Sequence, residues 1–258
     1  MISTWSDPSG PEIYTQIKVR FTNALEFLEK ASKETGKKVT VTHLVCRSVG
    51  EAVKYFPELN GKLMFGNFVP FDTIDVSCLV ALEEGKDLGF ICFKDIDHKD
   101  LATIYDETQK KVGSIRGKEG EERKIHEKVS APFKLIPTCV GAIIMETFSW
   151  LGGSIGLDLP MFNLKRHPFG CATVTNVGTF NVETIYGPFP PVERIAMLVV
   201  ISSTRDEAIV VDGQIVVEKV LTMTVTFDNR FIDGHRAAKA ASKMKEVLER
   251  PGDFLKIS

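Results

Sequence analysis

Polar side chains that could do proton-transfer or hydrogen-bonding chemistry are crowded between positions 228 and 235. They are Asp228, Asn229, Arg230, Asp233 and His235. Carboxylates and imidazoles take up and release protons, whereas an amide only donates and accepts hydrogen bonds. A corner between two elements holds functional groups more often than a strand interior does. An ordinary turn and helix cap would explain the same residues equally well.

The elements on either side of this cluster must position it. Residues 221–227 alternate apolar and threonine side chains, which predicts a half-buried strand. After Asp233 and Gly234 the apolar residues recur with the period of an amphipathic helix. The cluster is therefore predicted to occupy a strand-to-helix corner. Residues 208–217 predict a hairpin that turns at Asp212-Gly213 and leads back into this strand.

A second segment of interest reads CATVTNVG, at residues 171–178. It predicts a strand that leads into a glycine turn. The hydroxyl of Thr175 could donate a hydrogen bond, although a threonine that faces solvent or a neighbouring threonine is the commoner case in a strand. A Pro- and Gly-rich connection, residues 180–191, and a strand at residues 195–202 follow.

The first half of the chain predicts a mixture of helices and clustered strands. Residues 12–21 alternate as a strand, and Thr22 is expected to cap the helix that follows. A second helix is predicted at 42–55, before Pro57, and several short strands at 56–93. This order is typical of an α+β protein rather than of regular βαβ units.

Composition narrows the classes of function. The chain has 258 residues, 43% of them hydrophobic, and a formal net charge of -2. It therefore has ample material for a core and no basic face for nucleic acid. No secretory signal is expected at the start of the chain, which favours a cytoplasmic location. The five cysteines lack paired spacing and are expected to be reduced and mostly buried, without a zinc site: Cys46, Cys78, Cys92, Cys139 and Cys171.

The remaining histidines are expected to lie in solvent at helix starts or loops, since no pair of them has the spacing of metal ligands: His43, His98, His126 and His167. No metal site is therefore expected.

The motif D-N-R-F-I-D-G, residues 228–234, resembles the D-H-R-x-x-D-G signature of dihydrolipoamide acyltransferases. These are the core acyltransferases of 2-oxo acid dehydrogenase complexes, and chloramphenicol acetyltransferase is similar through a shorter H-x-x-x-D-G. The resemblance extends to F-P-E-L-N at 56–60, to the segment at 74–101, and to T-V-T-N-V-G at 173–178. These motifs occur in the family's order.

The resemblance implies a role for each residue of the two motifs. Asn229 stands where the family has its general base, a histidine, and Asp233 is the aspartate that fixes the local architecture through an ion pair. Thr175 stands where a serine hydroxyl stabilises the oxyanion of the tetrahedral intermediate. The matching residues Asp228, Arg230 and Gly234 would support the corner, and His235 is a candidate substitute base.

The segment at about 118–170 departs from the family as an apolar insertion. Its apolar run is interrupted too often to form a helix that spans a bilayer. We favour a core extension packed on the sheet. The alternatives are the lining of an acyl or hydrophobic cavity, and a surface that contacts another subunit or a membrane. The whole of 1–258 is otherwise expected to form a single acyltransferase-like domain, with no lipoyl domain.

Taken together, the resemblance implies an α+β fold, a two-layer chloramphenicol acetyltransferase-like sandwich of mixed sheet and helices, assembled as a homotrimer. The active site would lie between subunits. CoA or acyl-CoA would be a substrate rather than a bound cofactor, with no metal and no lipoyl group in this chain. Any lipoyl or acyl carrier, or larger complex, would be an external partner.

Two classes of function remain open. One is an acyltransferase that acts on a thiol, hydroxyl or amine acceptor, in which His235, water or the substrate removes the proton. The other is a catalytically degenerate member that serves as a structural or acyl/CoA-binding subunit, because the motif histidine is Asn229. A third hypothesis is that Asn229 replaces a histidine of the natural protein. Family resemblance leans towards the enzyme.

Overall fold

The computed structural model describes residues 10–82, 87–117, 169–190 and 194–257, and single positions at 140, 143 and 147. The insertion predicted at about 118–170 lies almost entirely outside the described residues, as do Cys139, His126 and His167.

A mixed sheet forms one layer of the molecule. Its strand order is β1-β8-β7-β6-β4-β5, and a separate hairpin pairs β2 with β3. Only the β4–β6 and β6–β7 pairs are parallel within this sheet. The strands are β1 (Glu12–Arg20), β2 (Gly61–Met64), β3 (Asn67–Pro70), β4 (Val76–Leu82), β5 (Asp87–Phe93), β6 (Ala172–Asn176), β7 (Met197–Val211) and β8 (Gln214–Asp228).

Helices form the second layer. They are α1 (Thr22–Thr35), α2 (Val41–Val53), α3 (Leu101–Gly117), α4 (Gly234–Glu249) and the short α5 (Pro251–Phe254). Apolar residues from the sheet and the helices share one core, in which Leu44 of α2, Val225 of β8 and Val247 of α4 are fully buried. Among the described residues, no helix combines the length and apolar character needed to cross a membrane.

The expected α+β, two-layer architecture is thus confirmed, and the element predictions hold with small shifts. The hairpin at Asp212-Gly213 is present, but its two strands are much longer than expected, at 15 residues each. Phe21 rather than Thr22 precedes α1 as its cap residue, without a side-chain cap. The described cysteines are free, and Cys46, Cys78 and Cys171 are buried, as expected.

The prediction that β8 is only half-buried is wrong. Thr222, Thr224 and Thr226 are buried like the apolar residues between them. The connection at residues 181–190 crosses their face of the sheet. Thr224 Oγ1 donates to the carbonyl oxygen of Ile185 at 2.5 Å, and Thr226 Oγ1 to that of Gly187 at 2.7 Å. These bonds satisfy hydroxyls that burial would otherwise penalise.

The prediction that His43 is solvated is also wrong, whereas His98 is exposed as expected. The His43 ring packs edge-on against Tyr105, with centroids 6.0 Å apart. Its Nδ1 accepts a hydrogen bond from the backbone nitrogen of Thr40 at 3.2 Å, so the ring is neutral there. Burial lowers the pKa of His43 to about 4.

Because its pKa is lowered in the folded chain, His43 makes the free energy of unfolding depend on pH. Between about pH 6.5 and pH 4 the unfolded chain binds a proton that the folded chain does not, so acidification favours unfolding. We expect this group to remove about 3 kcal/mol of the free energy of unfolding across that window. Urea unfolding from pH 7 to pH 4 should show a shallower pH dependence in His43→Gln than in the unaltered chain. His98→Gln is the matched control, and an equal change in both variants would contradict the assignment.

Candidate active site

A bidentate ion pair holds the corner after β8. Arg230 Nε donates to both carboxylate oxygens of Asp228 at 3.0 Å, and Nη2 donates to Oδ2 at 2.6 Å. The Arg230 backbone nitrogen also donates to Oδ1 of Asp228 at 2.9 Å. Hydrogen bonding to Asp228 raises the pKa of Arg230. Because Asp228 is 3% exposed, its carboxylate depends on these donors.

The ion pair places Asn229 on the outside of the turn. The residue is exposed, and its backbone nitrogen donates to the carbonyl oxygen of Pro11 at 2.7 Å. The amide side chain therefore faces outward from a backbone that is fixed on both sides. It can donate and accept hydrogen bonds, but it cannot serve as a base near neutral pH.

Asp233 ends the corner as the cap of α4. Its Oδ1 accepts a hydrogen bond from the backbone nitrogen of Arg236 at 2.8 Å. The resemblance implies an ion pair for Asp233, whereas among the described residues the ion pair between motif residues joins Asp228 and Arg230. Asp233 thus fixes the start of α4 by helix capping.

Gly234 and His235 are the first two residues of α4, and both are exposed. A Cβ added to Gly234 would meet open space, so packing does not require this glycine. The His235 ring lies on the exposed start of the helix, and within the described part of the chain it makes no hydrogen bond or ion pair. An imidazole is therefore present in the corner and is open to solvent.

Two motifs that are far apart in the sequence meet at this corner. Glu58 of the F-P-E-L-N segment forms an ion pair with Arg236 of α4. The Arg236 guanidinium also lies 5.8 Å from the centroid of the Phe56 ring. Phe68 of β3 packs edge-on against Phe231, with centroids 6.2 Å apart. The F-P-E-L-N segment and β3 therefore pack against the strand-to-helix corner and stabilise it.

Thr175 lies near the C-terminal end of β6 and is half-buried. Val174 beside it points into the core under the helices, so Thr175 faces the opposite side of the sheet. The next residue, Asn176, fixes the turn: its Nδ2 donates to Thr42 Oγ1 at 3.0 Å, and its Oδ1 accepts from the Gly178 nitrogen at 2.9 Å. A Cβ on Gly178 would come within 2.6 Å of the Ser202 carbonyl oxygen, which explains the glycine.

Thr175 and Asn229 are far apart within one chain. Thr175 pairs with Val200 of β7, which pairs with Thr224 of β8. Because β6 and β8 run in opposite directions, their C-terminal ends lie at opposite ends of the sheet. Two strand spacings and five residues of rise place the two Cα atoms about 20 Å apart. One chain therefore cannot bring both side chains to the same reacting carbon.

Two further polar groups near these residues are not indicated by any sequence pattern. Tyr14 donates its hydroxyl to Glu12, next to the corner, and burial followed by the contact with Glu12 raises the pKa of Tyr14 to about 12. Ser202 of β7 has a buried hydroxyl. Neither residue lies in a recognisable motif. The pairing of β1 with β8 brings Tyr14 next to the corner, and the pairing of β6 with β7 brings Ser202 near the end of β6.

Within the described ranges, one group of side chains of the kinds that bind metal ions lies close together. The candidate ligand atoms of Asp95, Asp97 and His98 lie within 4.8 Å of one another. His98 Nδ1 lies 3.0 Å from Asp95 Oδ1, and the Lys54 ammonium lies 3.6 Å from Asp97 Oδ2. The group is thus explained as a local cluster of ion pairs.

The family model and the similar proteins all describe acyltransferases of 2-oxo acid dehydrogenases. The family model described as 2-oxoacid dehydrogenases acyltransferase (catalytic domain) matches residues 4–128 and 167–256. The dihydrolipoyllysine-residue acetyltransferase component of the pyruvate dehydrogenase complex of Zymomonas mobilis is 22% identical over 251 residues, which are 96% of this chain and 47% of that protein. The corresponding succinyltransferase component of the 2-oxoglutarate dehydrogenase complex of Staphylococcus saprophyticus is 25% identical over 245 residues, with 92% and 47% covered. The chain spans about half the length of the curated relatives it matches.

Solved structures show the same fold. A probable dihydrolipoamide acetyltransferase from Listeria monocytogenes has a TM-score of 0.66 at 19% identity, with 94% of this chain and 86% of that chain covered. A chloramphenicol acetyltransferase has a TM-score of 0.51 at 19% identity, with 96% and 89% covered. At these identities the likeness concerns the fold alone.

Proposed function

Because this chain belongs to the 2-oxoacid dehydrogenases acyltransferase (catalytic domain) family, we propose that it is a CoA-dependent acyltransferase-like protein. It transfers an acyl group between CoA and a thiol, hydroxyl or amine acceptor, at a site shared between copies of the chain. The single observation that carries the proposal is the retained corner. Asp228, Arg230 and Asp233 form a built strand-to-helix turn at the motif that corresponds to the family's general base.

The proposed acyl transfer uses the Thr175 hydroxyl and lacks a base at Asn229. The acceptor attacks the thioester carbonyl carbon, and the resulting oxyanion accepts a hydrogen bond from the Thr175 hydroxyl. Collapse of the intermediate breaks the carbon–sulfur bond, and the CoA thiolate takes up a proton. The acceptor proton leaves to His235, to water or to the substrate, since Asn229 has no basic lone pair.

The separation of about 20 Å between Thr175 and Asn229 supports a shared site. If both residues serve one reaction, the Thr175 of one copy must meet the corner of another. The separation calls for at least two copies, and we propose a homotrimer because the resemblance to the acyltransferase family implies that assembly. An external lipoyl or acyl carrier is the proposed donor or acceptor, since the similar proteins are components of 2-oxo acid dehydrogenase complexes.

Asn229 favours a second candidate function. Without a base at this position, the chain would bind CoA or acyl groups, or serve as a structural subunit, without turnover. The exposed amide retains hydrogen-bonding capacity and loses the acid–base function. The enzyme and the acyl/CoA-binding subunit differ in turnover but share CoA binding, whereas a purely structural subunit would show neither.

Binding and turnover measured together test the proposal. We expect calorimetry to detect acetyl-CoA binding, and chromatography to detect slow acyl transfer to dihydrolipoamide above the protein-free rate. Thr175→Ala purified in the same way is the control for trace contaminants, because a contaminating activity would persist in it. Binding without transfer would favour the acyl/CoA-binding subunit, and the absence of both would contradict the acyltransferase and leave only the structural subunit.

A further inference from the structure

Thr175 lies just beyond the point where β6 loses one of its two neighbouring strands. Within the described residues, β4 pairs with β6 only as far as Val174, whereas β7 pairs with it as far as Asn176. The strand is therefore paired on both edges up to Val174 and on one edge only at Thr175. Because strand pairing with β4 does not reach Thr175, its position also depends on what anchors the residue that follows it.

The side chain of Asn176 supplies this anchor. Side chains alternate along β6, so Asn176 points towards the helices and Thr175 away from them. Asn176 Nδ2 donates to Thr42 Oγ1 at 3.0 Å, and its Oδ1 accepts from the Gly178 nitrogen at 2.9 Å. The Gly178 N–H can only donate, so it must face the amide oxygen, which directs the amide nitrogen towards Thr42. The Thr42 hydroxyl is therefore the acceptor that ties the end of β6 to α2.

Thr42 is itself held in a fixed place. It lies in the first turn of α2. Just before this turn, the Thr40 backbone nitrogen donates to Nδ1 of His43 at 3.2 Å, and the buried His43 ring packs against Tyr105 of α3. A hydroxyl on a packed helix holds its partner more precisely than one on a loop does. The bond from Asn176 to Thr42 thus sets the end of β6 relative to the helix layer.

We propose that Thr42 is a positioning residue of the acyl-transfer site, which holds the Thr175 hydroxyl in place through Asn176. The inference rests on the proposed function and deepens it, because it identifies what orients the oxyanion donor. A donor stabilises the transition state only at hydrogen-bond distance from the oxygen that becomes charged, so a small displacement is costly. Loss of the Thr42 hydroxyl should therefore slow transfer without weakening the binding of acetyl-CoA.

Thr42→Val in the Asn229→His background tests this role. Valine keeps the branched shape of threonine and removes the acceptor. We expect kcat for transfer from acetyl-CoA to dihydrolipoamide to fall about three- to tenfold, the range of one neutral hydrogen bond. The KM for acetyl-CoA should stay within about twofold, because the donor acts mainly in the transition state. Thr42→Ser restores an acceptor hydroxyl and should recover the rate.

A double variant, Thr42→Val with Thr175→Ala, separates positioning from a general effect on the fold. If Thr42 acts through Thr175, its loss should not lower kcat further once the Thr175 hydroxyl is absent, so the two effects are non-additive. Thr108→Val is the matched control. Thr108 Oγ1 donates to the Ile104 carbonyl oxygen within α3 at 2.8 Å, so this change also removes one hydroxyl hydrogen bond, and kcat should be unchanged.

Three results would overturn the positioning role and leave the proposed function standing. They are an undiminished kcat in Thr42→Val, a serine variant as slow as the valine variant, and a Thr42→Val loss that is equal with and without the Thr175 hydroxyl. A comparable loss in Thr108→Val would also overturn it. Absence of transfer in the Asn229→His background would overturn the proposed function, and the positioning role with it.

Discussion

Asn229→His is expected to raise acyl transfer by about 10²- to 10⁴-fold, the range that a positioned general base contributes. The imidazole would stand on a turn whose backbone is already fixed by the Asp228–Arg230 ion pair and by the hydrogen bond to Pro11. A neutral imidazole takes the acceptor proton near pH 7, which the amide cannot do. The measurement is the initial rate of product formation from acetyl-CoA and dihydrolipoamide, determined by chromatography.

Asn229→Gln is the matched control, because it retains an amide and adds no base. The rate of the histidine variant should rise with pH through the ordinary pKa of an imidazole, about 6.5, whereas that of the glutamine variant should not show this step. A histidine variant that binds acetyl-CoA but transfers no faster than the glutamine variant would contradict the view that only the base is missing.

The second large effect is expected at Thr175. In the Asn229→His background, Thr175→Ala should lower kcat by about 10²- to 10³-fold, because the donor acts mainly on the charge that develops in the transition state. The KM for acetyl-CoA should change far less. Thr175→Ser retains the hydroxyl and should keep most of the rate. A Thr175→Ala variant with undiminished kcat would exclude the residue as the oxyanion donor.

Mixing two chains tests whether the site is shared. The double variant, Asn229→His with Thr175→Ala, carries a base and lacks the donor, while the unaltered chain carries the donor and lacks the base. Each alone should be slow. Because the two positions lie about 20 Å apart in one chain, co-expressed mixed oligomers should recover activity only where copies complement each other. Mixed oligomers that stay as slow as the separate chains would argue against a site between copies.

Much of the local structure followed from periodicity and turn chemistry. The alternation at 221–227, the hairpin at Asp212-Gly213 and the helix after Asp233 depend on neighbours within a few residues, so the sequence alone predicted them. The resemblance of the C-terminal motif to an acyltransferase family was equally local, and the family match confirms it. The roles of Asn229, Asp233 and Thr175 within that motif stay predictions.

The burial of polar residues could not be predicted in the same way. Period-two alternation shows that a strand has two unlike faces, but it does not show what covers each of them. The threonine face of β8 is buried because residues 181–190 cross it, and His43 is buried because α2 packs it against Tyr105 of α3. Both contacts join segments that are distant in the chain.

The sequence by itself determined which side chains are present: an amide, Asn229, at the position where the resemblance implies a base, and a hydroxyl, Thr175, on a separate strand. What only the tertiary structure decided is the spatial relation of these groups. The antiparallel arrangement of β6 and β8 sets Thr175 and Asn229 at opposite ends of these strands. Strand direction and register depend on pairing between remote segments, and side-chain types alone do not specify that pairing.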